Sequence, residues 1–416
     1  MVFFYLNLLM HLSGENGMMT MNILQKFDIW KQLTVAVIHK TFPLRAVDLA
    51  LKETQKISQR KRELPSHIMV YYMIASSFFM TLNLKEILRC LLEGLKFLPF
   101  ISGIKITGKS GISQARKRLG FEPLEHLYTN AVKPIACTGT KGAWYKKWRL
   151  VSLDGSTINV PDEKANKEYF GHPTTYIENR YIYPQLRFVC LAEGGTHVLF
   201  SARLGTYRES EVSLAGKIIQ DLAPEMLCLT DRGLCNYSLW CQALAKGSDL
   251  LWRCRRDYIF PVEELLPDGS YLSTFCPLPR TKIKNHPMKV RIIEYKVTGI
   301  GDNETVYRLI TSILDHKIAP ASDLAALYHE RWEIENCLDE FKTHLLSNRD
   351  CLRSKTPELV KQEFYALLLA HFAIRGIMHE AALSVDEDPD RLSFSHTLNI
   401  IKRKIMIFPL LSPSTY

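Results

Sequence analysis

The chain is 416 residues long and carries 53 Lys and Arg against 43 Asp and Glu, a formal net charge of +10. With 47% hydrophobic and 23% charged residues, its composition is that of a globular protein, which excludes a disordered or fibrous chain. The length exceeds one ordinary hydrophobic core and indicates two or three domains, and the basic balance favours a polyanionic partner, with nucleic acid the first candidate.

The N-terminal part of the sequence predicts no membrane segment. The first ten residues are apolar but lack a basic leader and a small-residue cleavage site, and we interpret residues 1–20 as an extension outside the core. The uncharged run from Ile68 to Leu84 is shorter than a membrane span and contains Ser76 and Thr81, which favours a buried helix. Scattered cysteines without zinc-ligand spacing indicate free thiols and a reducing, cytoplasmic location.

Residues 21–143 predict an all-α domain, because apolar positions recur every three or four residues and strand signals are few. Two basic stretches lie in this domain: KISQRKR at Lys56–Arg62 and a short helix at Ser113–Leu119, which Gly120 closes. A solubilising charge run explains the first stretch as well as a phosphate-contacting patch does. The second stretch contributes three candidates for contacts with a nucleic-acid backbone: Arg116, Lys117 and Arg118.

Strand signals begin at residue 144. Residues 144–385 give a strand, a hairpin, a helix, a strand, a helix and a strand in that order, which predicts a mixed α/β sheet with helices packed on it. Two of these strands deliver an aspartate into a break: LVSLDGSTINV contains Asp154 and MLCLTDRG contains Asp231. Between about residues 255 and 319 the helical signal disappears, which predicts a β-rich insertion. Residues 386–416 are interpreted as a C-terminal tail.

The segment from Ser322 to Leu346 predicts an amphipathic helix. At 100° per residue, four polar side chains project from one arc of about 60°: Tyr328, Arg331, Glu335 and Lys342. An apolar stripe beside this face would dock the helix on a sheet or a partner helix. Taken alone, the polar face also fits an ordinary solvated helix surface held by weak ion pairs.

Asp154, Asp231 and Glu335 together have the chemistry of a metal site. An aspartate at the end of a buried strand is costly unless it is hydrogen-bonded, paired with a cation or bound to a metal. Carboxylate oxygens suit Mg²⁺ or Mn²⁺, and a pair of such ions can activate an attacking oxygen and stabilise a leaving one. The set therefore predicts phosphodiester cleavage or transfer with two divalent cations.

These motifs resemble the DDE transposases of IS4-type insertion sequences. The likeness covers roughly residues 23–400 and is carried by LVSLDGSTINV, PQLRFVCLAEGGTHV, MLCLTDRG and the Y-x2-R-x3-E-x6-K signature that begins at Tyr328. Nearer the N-terminus, RKRELPSHIMVYYMI and SGISQARKRLG are similar to that family's helical DNA-binding domain. The resemblance implies an RNase H-like catalytic domain with a β-rich insertion, preceded by an all-α domain.

The resemblance also assigns roles to residues. Three are expected to form the catalytic, metal-binding triad: Asp154, Asp231 and Glu335. The other signature residues are expected to grip phosphates near the transposon end: Tyr328, Arg331 and Lys342. The residues leave a structural alternative open, in which Arg331 pairs with Glu335 and positions it. Asp339, one turn beyond Glu335, does not fit the signature spacing and is expected to play a supporting role.

Trp252 is a candidate for stacking on a displaced base. Related enzymes use an aromatic residue of the inserted region in this way, and Trp252 lies beside Arg253, Arg255 and Arg256. Because it lies in an apolar strand, ordinary core packing is the favoured interpretation.

The resemblance implies a cut-and-paste DNA transposase of the bacterial cytoplasm, associated with the nucleoid when bound to DNA. Its partners would be double-stranded DNA, both the terminal inverted repeats and the target, and a second copy of the chain on paired ends, with no membrane. Two alternatives stay open. An inactive or truncated copy would only bind DNA, and an RNase H-like structure-specific nuclease would cleave without joining.

Overall fold

The structure, a computed structural model, describes six stretches of the chain: residues 33–60, 63–95, 107–173, 183–277, 287–297 and 305–406. The predicted extension at residues 1–20, the end of the C-terminal tail and the last two residues of the KISQRKR stretch lie outside them. The chain forms two compact units. The sheet unit comprises Gly142–Asn159 and Lys167–Leu338, and the helical unit comprises the residues before Gly142, Val160–Asn166 and the residues from Asp339 onward.

Helices and strands are numbered in chain order. The α-helices are α1 Leu33–Thr41, α2 Leu44–Glu53, α3 Ser66–Phe78, α4 Leu84–Leu95, α5 Lys109–Leu119, α6 Glu122–Ala131, α7 Lys164–Phe170, α8 Glu211–Ile218, α9 Tyr237–Leu244, α10 Ala321–His329, α11 Glu333–Asp339, α12 Pro357–Ser384 and α13 Phe394–Met406. The strands are β1 Trp144–Tyr145, β2 Trp148–Asn159, β3 Gln185–Glu193, β4 Leu199–Thr206, β5 Met226–Thr230, β6 Asp249–Arg253, β7 Glu264–Leu265, β8 Tyr271–Phe275, β9 Met288–Val297 and β10 Thr305–Thr311.

The sheet unit is built on one mixed sheet in the order β4-β3-β2-β5-β6-β10-β9-β8-β7, with β1 beside β2. Strands β2, β3 and β4 form an antiparallel meander, and β5 and β6 run parallel to β2. This is the RNase H-like arrangement, so the predicted fold class is confirmed. Every residue of β5 is buried, as a central parallel strand covered on both faces requires.

The β-rich insertion is present and continues the same sheet. Strand β10 pairs antiparallel with β6, and β9, β8 and β7 follow it outward. The insertion therefore lengthens the sheet at the β6 edge. This placement matters for the active site because the chain returns from the insertion directly into helix α10.

The predicted amphipathic helix is observed as a succession of helical segments. Helix α10 is followed by a 3₁₀ turn at Glu330–Trp332, then by α11, then by a π-helix at Glu340–His344. In the sheet unit, α10 packs on the sheet through Leu324 and Tyr328, which join a buried cluster that includes Leu229 and Leu251 of β5 and β6. This packing places Tyr328, the first residue of the signature, against the sheet.

The helical unit is centred on α12, whose buried faces contact α3 and α6. It is the one helix in the described residues that is long and apolar enough to span a membrane, but most of that stretch is buried, which is typical of a core helix. The predicted boundaries placed residues 144–385 in the catalytic domain, whereas the chain from Asp339 onward packs in the helical unit. The division depends on which apolar faces meet, and helical periodicity does not encode this.

Candidate active site

Strand register brings Asp154 and Asp231 together. In the parallel pair of β2 and β5, the last partners are Leu153 and Thr230, so the residues that follow them are the two aspartates. Neighbouring strands lie about 4.8 Å apart, which places these side chains next to each other. The predicted break at Asp154 is not observed, because β2 continues to Asn159. The side chain of Asp154 is 22% exposed, and the pairing of β2 with β5 ends one residue before it.

Backbone amides hold both carboxylates. Oδ1 of Asp154 accepts a hydrogen bond from the N–H of Gly155 at 2.7 Å. Oδ1 of Asp231 accepts from the N–H groups of Gly233 at 2.8 Å and Leu234 at 3.3 Å, in the turn that follows β5. A Cβ at Gly233 would approach Asp231 Oδ1 to 3.2 Å, so the glycine permits this tight turn. The local sequence DRG is therefore part of the geometry of the site.

The electrostatics of Asp154 are those of a crowded acidic site. Burial raises the pKa of Asp154 to about 6, the N–H of Gly155 opposes that rise, and the charge of Asp231 adds to it. The nearby guanidinium of Arg331 lowers the pKa, but not enough to restore its usual value. A cation placed among its oxygens would stabilise the ionised form of such a carboxylate. The donor set, carboxylate oxygens only, fits Mg²⁺ or Mn²⁺.

Arg331 joins the helix to this cluster. Its Nη2 donates to Oε1 of Glu335 at 2.9 Å, and its Nη1 lies 3.8 Å from Oδ2 of Asp154. Arg331 is only 8% exposed, whereas the side chain of Glu335 is 45% exposed. The guanidinium thus links two of the three predicted metal ligands, which is the structural alternative that the sequence left open for Arg331.

Tyr328 lies deeper than the sequence predicted. It is 2% exposed, and its hydroxyl donates to the carbonyl oxygen of Thr230 at 3.3 Å. Burial also raises the pKa of Tyr328, which keeps the hydroxyl protonated and able to donate. The expectation that Tyr328 grips a phosphate is therefore corrected for this structure: helical periodicity predicts its direction around the helix axis but not its depth.

Trp252 also needs a correction. It is fully buried in β6, and its ring packs edge-to-face against Trp240 with centroids 5.2 Å apart. A ring in this position cannot stack on a displaced base, so the favoured interpretation of core packing is the one observed. Trp332, which helical spacing does not single out, is 53% exposed, and its ring centroid lies 5.7 Å from the guanidinium carbon of Arg331. Its signal was an aromatic directly after the signature arginine.

Three predicted contacts lie in the helical unit on α5. Arg116 is 8% exposed and donates to Oε1 of Gln362 at 3.0 Å and to Oγ of Ser354 at 2.8 Å. Its guanidinium is used inside the unit, so the prediction of a DNA contact is corrected for this residue. Lys117 and Arg118 are exposed on the same helix.

Lys342, the last signature residue, belongs to the helical unit. It is half-buried in the π-helix at Glu340–His344. Asp339, the acidic neighbour that the signature spacing disfavoured, lies 3.3 Å through Oδ2 from Nε2 of His344 and is exposed. The structure thus gathers Asp154, Asp231, Arg331 and Glu335 in the sheet unit.

Two family models match the chain. Residues 32–129 match a family described as the insertion element 4 transposase N-terminal domain, and residues 146–373 match a family described as the transposase DDE domain. The second match spans more than half of the chain and contains all three acidic residues of the predicted triad.

Two transposases of Escherichia coli are similar to the chain in sequence. The chain is 29% identical over 375 residues to the transposase InsG for insertion sequence element IS4 of Escherichia coli strain K12, a match that covers 88% of this chain and 82% of InsG. It is 27% identical over 161 residues to the putative transposase InsZ of the same strain, covering 38% of this chain and 52% of that protein. A solved piggyBac transposase synaptic complex with hairpin DNA is similar with a TM-score of 0.45 and 10% identity, covering 92% of this chain and 82% of that one.

Proposed function

Because this chain belongs to the IS4 family of DDE transposases and is an enzyme that acts on DNA, we propose that it moves its own element by cut and paste. It binds the terminal inverted repeats, cleaves the DNA at the element end and joins the released end to target DNA. The observation that carries the proposal is the register of β2 and β5, which places Asp154 beside Asp231. Arg331 contacts both Asp154 and Glu335 and so brings the third carboxylate to the same site.

Three residues of the sheet unit would hold two divalent cations, Mg²⁺ or Mn²⁺: Asp154, Asp231 and Glu335. When bound, these ions activate the attacking oxygen and stabilise the leaving oxygen of an in-line displacement. The N–H groups of the turn after β5 orient Asp231, and Arg331 orients Glu335. The protein therefore contributes a fixed array of carboxylates, and a covalent protein–DNA intermediate is unnecessary.

The two chemical steps follow from this array. In cleavage, the oxygen of a water molecule bonds to phosphorus and the 3′-oxygen of the element end leaves with a proton. In joining, that 3′-hydroxyl attacks a target phosphodiester, loses its proton and displaces the target 3′-oxygen, so the number of phosphodiester bonds is unchanged. Each step inverts one phosphorus centre and requires no external energy source.

Double-stranded DNA is the partner, as both inverted repeat and target. The exposed Lys117 and Arg118 on α5 and the signature residue Lys342 are the cations that we assign to backbone phosphates. A homodimer that holds two ends would cut and join them together. The reaction takes place in the cytoplasm, at the nucleoid.

Strand cleavage and joining test the proposal. Purified protein is incubated with Mg²⁺ and a labelled fragment that carries the element end, and wild type is compared with Glu335→Gln. Wild type is expected to cut at the end and join it to a second DNA, while the variant binds the fragment equally and does neither. Asp339→Asn is the matched control, since it removes an exposed helical carboxylate outside the triad, and it should retain activity.

Other results would favour different functions. Wild type that cuts DNA without joining, and without preference for the element end, would contradict the proposal in favour of a structure-specific nuclease. Wild type and Glu335→Gln that both bind the end but leave it uncut would identify a DNA-binding protein without catalysis. An Asp339→Asn variant as inactive as Glu335→Gln would overturn the assignment of the helix carboxylate.

A further inference from the structure

A buried chain of hydrogen bonds runs beneath the acidic cluster of the sheet unit. The hydroxyl of Tyr328 on α10 donates to the carbonyl oxygen of Thr230 at 3.3 Å. The hydroxyl of Thr230 in turn donates to the carbonyl oxygen of Leu153 at 2.8 Å. Tyr328 is 2% exposed and Thr230 is fully buried, so water does not compete for these bonds.

The two acceptor carbonyls lie at the end of the pairing between β2 and β5. Leu153 and Thr230 are the last register partners of β2 and β5, and the residues after them are Asp154 and Asp231. Beyond this pair the ladder between the two strands stops. The hydroxyl of Thr230 therefore adds a cross-strand bond at the point where backbone pairing ceases to hold the two aspartates in register.

The third carboxylate, Glu335, follows on α11, after the 3₁₀ turn that contains Arg331. Arg331 follows Tyr328 by three residues and contacts Glu335 at 2.9 Å and Asp154 at 3.8 Å. The hydroxyl of Tyr328 thus ties α10 to the strand backbone one residue before Asp231. A shift of α10 along the sheet would break the Tyr328 bond and change the distance from Glu335 to the two aspartates together.

We propose that Tyr328 and Thr230 are positioning residues, which set the spacing of Asp154, Asp231 and Glu335 for divalent cations; this rests on the proposed function. Tyr328 acts through the backbone of Thr230, and Thr230 acts through the backbone of Leu153. Both side chains are buried, with Tyr328 2% exposed and Thr230 fully buried. Groups that support metal ligands in this way typically change metal affinity or activity by about ten- to a hundred-fold when they are removed.

Metal affinity is the first readout. Mn²⁺ binding is measured by calorimetry on the protein in complex with a fragment that carries the element end, for wild type, Tyr328→Phe and Thr230→Val. Both variants keep the buried volume and remove one hydroxyl. Each is expected to raise the dissociation constant for Mn²⁺ by about ten-fold or more, while the affinity for the fragment without metal stays at the wild-type value.

Two further variants separate positioning from general packing. Thr230→Ser keeps the hydroxyl and should bind Mn²⁺ as wild type does. Tyr295→Phe also removes a hydroxyl that contacts α10. The hydroxyl of Tyr295 on β9 lies 3.4 Å from Nε2 of His329 on α10 and does not reach β5, the strand before Asp231. This variant should leave Mn²⁺ binding unchanged. Thermal melting of each variant checks that all of them are folded.

The metal dependence of cleavage is the second readout. For Tyr328→Phe and Thr230→Val, the Mn²⁺ concentration for half-maximal cleavage should rise by the same factor as the dissociation constant, and saturating Mn²⁺ should restore most of the rate. A folded Tyr328→Phe that binds Mn²⁺ as wild type does would overturn the proposal. So would a loss of DNA affinity without a change in Mn²⁺ affinity, because it would identify Tyr328 as a DNA contact.

This experiment is independent of the test for transposition. Wild type that joins ends, together with a Tyr328→Phe of unchanged Mn²⁺ affinity, contradicts the positioning role alone. Wild type that binds Mn²⁺ more tightly than both variants but neither cuts nor joins DNA contradicts the proposed function alone.

Discussion

The environment of the site changes the pKa of Asp154. Burial raises the pKa of Asp154 to about 6, against a usual value of 3.8, with Asp231 adding to the effect. The folded protein therefore holds a proton on Asp154 between about pH 4 and pH 6, where the unfolded chain has lost it. Stability consequently falls as the pH rises through this window, and the cost of ionisation is fully present above pH 6.

Asp154→Asn is expected to stabilise the metal-free protein at pH 7. The amide cannot ionise, so it avoids a cost on the order of 1–3 kcal/mol, given about 1.4 kcal/mol for each unit of pKa shift and the partial exposure of the side chain. The free energy of unfolding, measured by urea denaturation with a chelator present, should exceed the wild-type value at pH 7 and equal it below pH 4.

The control is Asp257→Asn, which neutralises an exposed carboxylate of the same sheet unit. It should change the free energy of unfolding by a few tenths of a kcal/mol, as surface ion pairs usually do. An Asp154→Asn variant whose stability relative to wild type does not depend on pH would contradict the raised pKa.

The depth of a side chain in the fold is a property that helical spacing does not predict. Spacing alone put Tyr328, Arg331 and Glu335 on one side of a helix, and all three do meet features of the same site. Spacing did not reveal that Tyr328 lies under the site while Glu335 reaches solvent. Depth depends on how closely the helix approaches the sheet, and the long-range packing of Leu324 on β5 and β6 decides this.

At the scale of elements, the start of α10 connects the insertion to the active site. Its N-cap residue, Pro320, offers no side-chain cap. Instead, Oδ2 of Asp268, in the turn between β7 and β8, accepts a hydrogen bond from the N–H of Ala321 at 2.8 Å. The same carboxylate pairs with Arg291 of β9, which is fully buried and donates to the carbonyl oxygen of Ala319 at 2.6 Å. The insertion thereby caps α10, which carries Tyr328, the first residue of the signature.

Asp268→Ala is expected to destabilise the protein by about 2–5 kcal/mol, because it removes the cap and leaves the guanidinium of Arg291 buried without its carboxylate. Although partial burial acts in the opposite direction, hydrogen bonds from Ser270 and Ala321 and the charge of Arg291 lower the pKa of Asp268. This stabilisation is therefore present above about pH 4 and disappears as the pH falls through the lowered pKa. Urea denaturation between pH 2 and pH 7 measures both effects.

A double variant provides the control for this prediction. Asp268→Ala combined with Arg291→Met removes the buried charge together with its partner, and it should recover part of the lost stability. If the single variant Asp268→Ala were as stable as wild type at pH 7, the carboxylate would not hold the start of α10.

Elements were predictable where a local pattern specifies them. The run MLCLT was recognised as a buried strand because all five of its side chains suit a central strand, and β5 is buried throughout. The partner of β5 and its register with β2 were not predictable, because no local feature encodes which strands pair. Yet that register, with Leu153 opposite Thr230, is what assembles the acidic pair.

At the scale of the whole molecule, the end of the sheet unit is the feature that the sequence does not reveal. The change from helical to strand signals near residue 144 marks the start of the sheet unit closely, since that unit begins at Gly142. Its end is different: the helical segment that starts with α10 passes out of the sheet unit after Leu338, without any break in composition. A continuous helical pattern gives no signal for such a boundary.

The net charge of +10 suggests that basic residues contact DNA phosphates, and the salt dependence of DNA binding tests this. Each phosphate contact made by a cation releases condensed counterions, so the logarithm of the binding constant falls with the logarithm of salt concentration by about 0.9 for each contact. If Lys117 and Arg118 contact phosphates, the variant Lys117→Ala/Arg118→Ala should reduce this slope by about 1.8. Fluorescence anisotropy with an end fragment between 50 mM and 300 mM salt measures it.

Two lysines outside α5 provide the matched control. Lys355 lies 2.7 Å from Glu163 and Lys361 lies 3.3 Å from Glu358, and Lys355→Ala/Lys361→Ala removes the same charge from another part of the helical unit. This control should leave the slope unchanged. Equal slopes for the Lys117→Ala/Arg118→Ala variant and wild type would show that α5 does not contact the DNA backbone, and the basic charge would then act by long-range attraction alone.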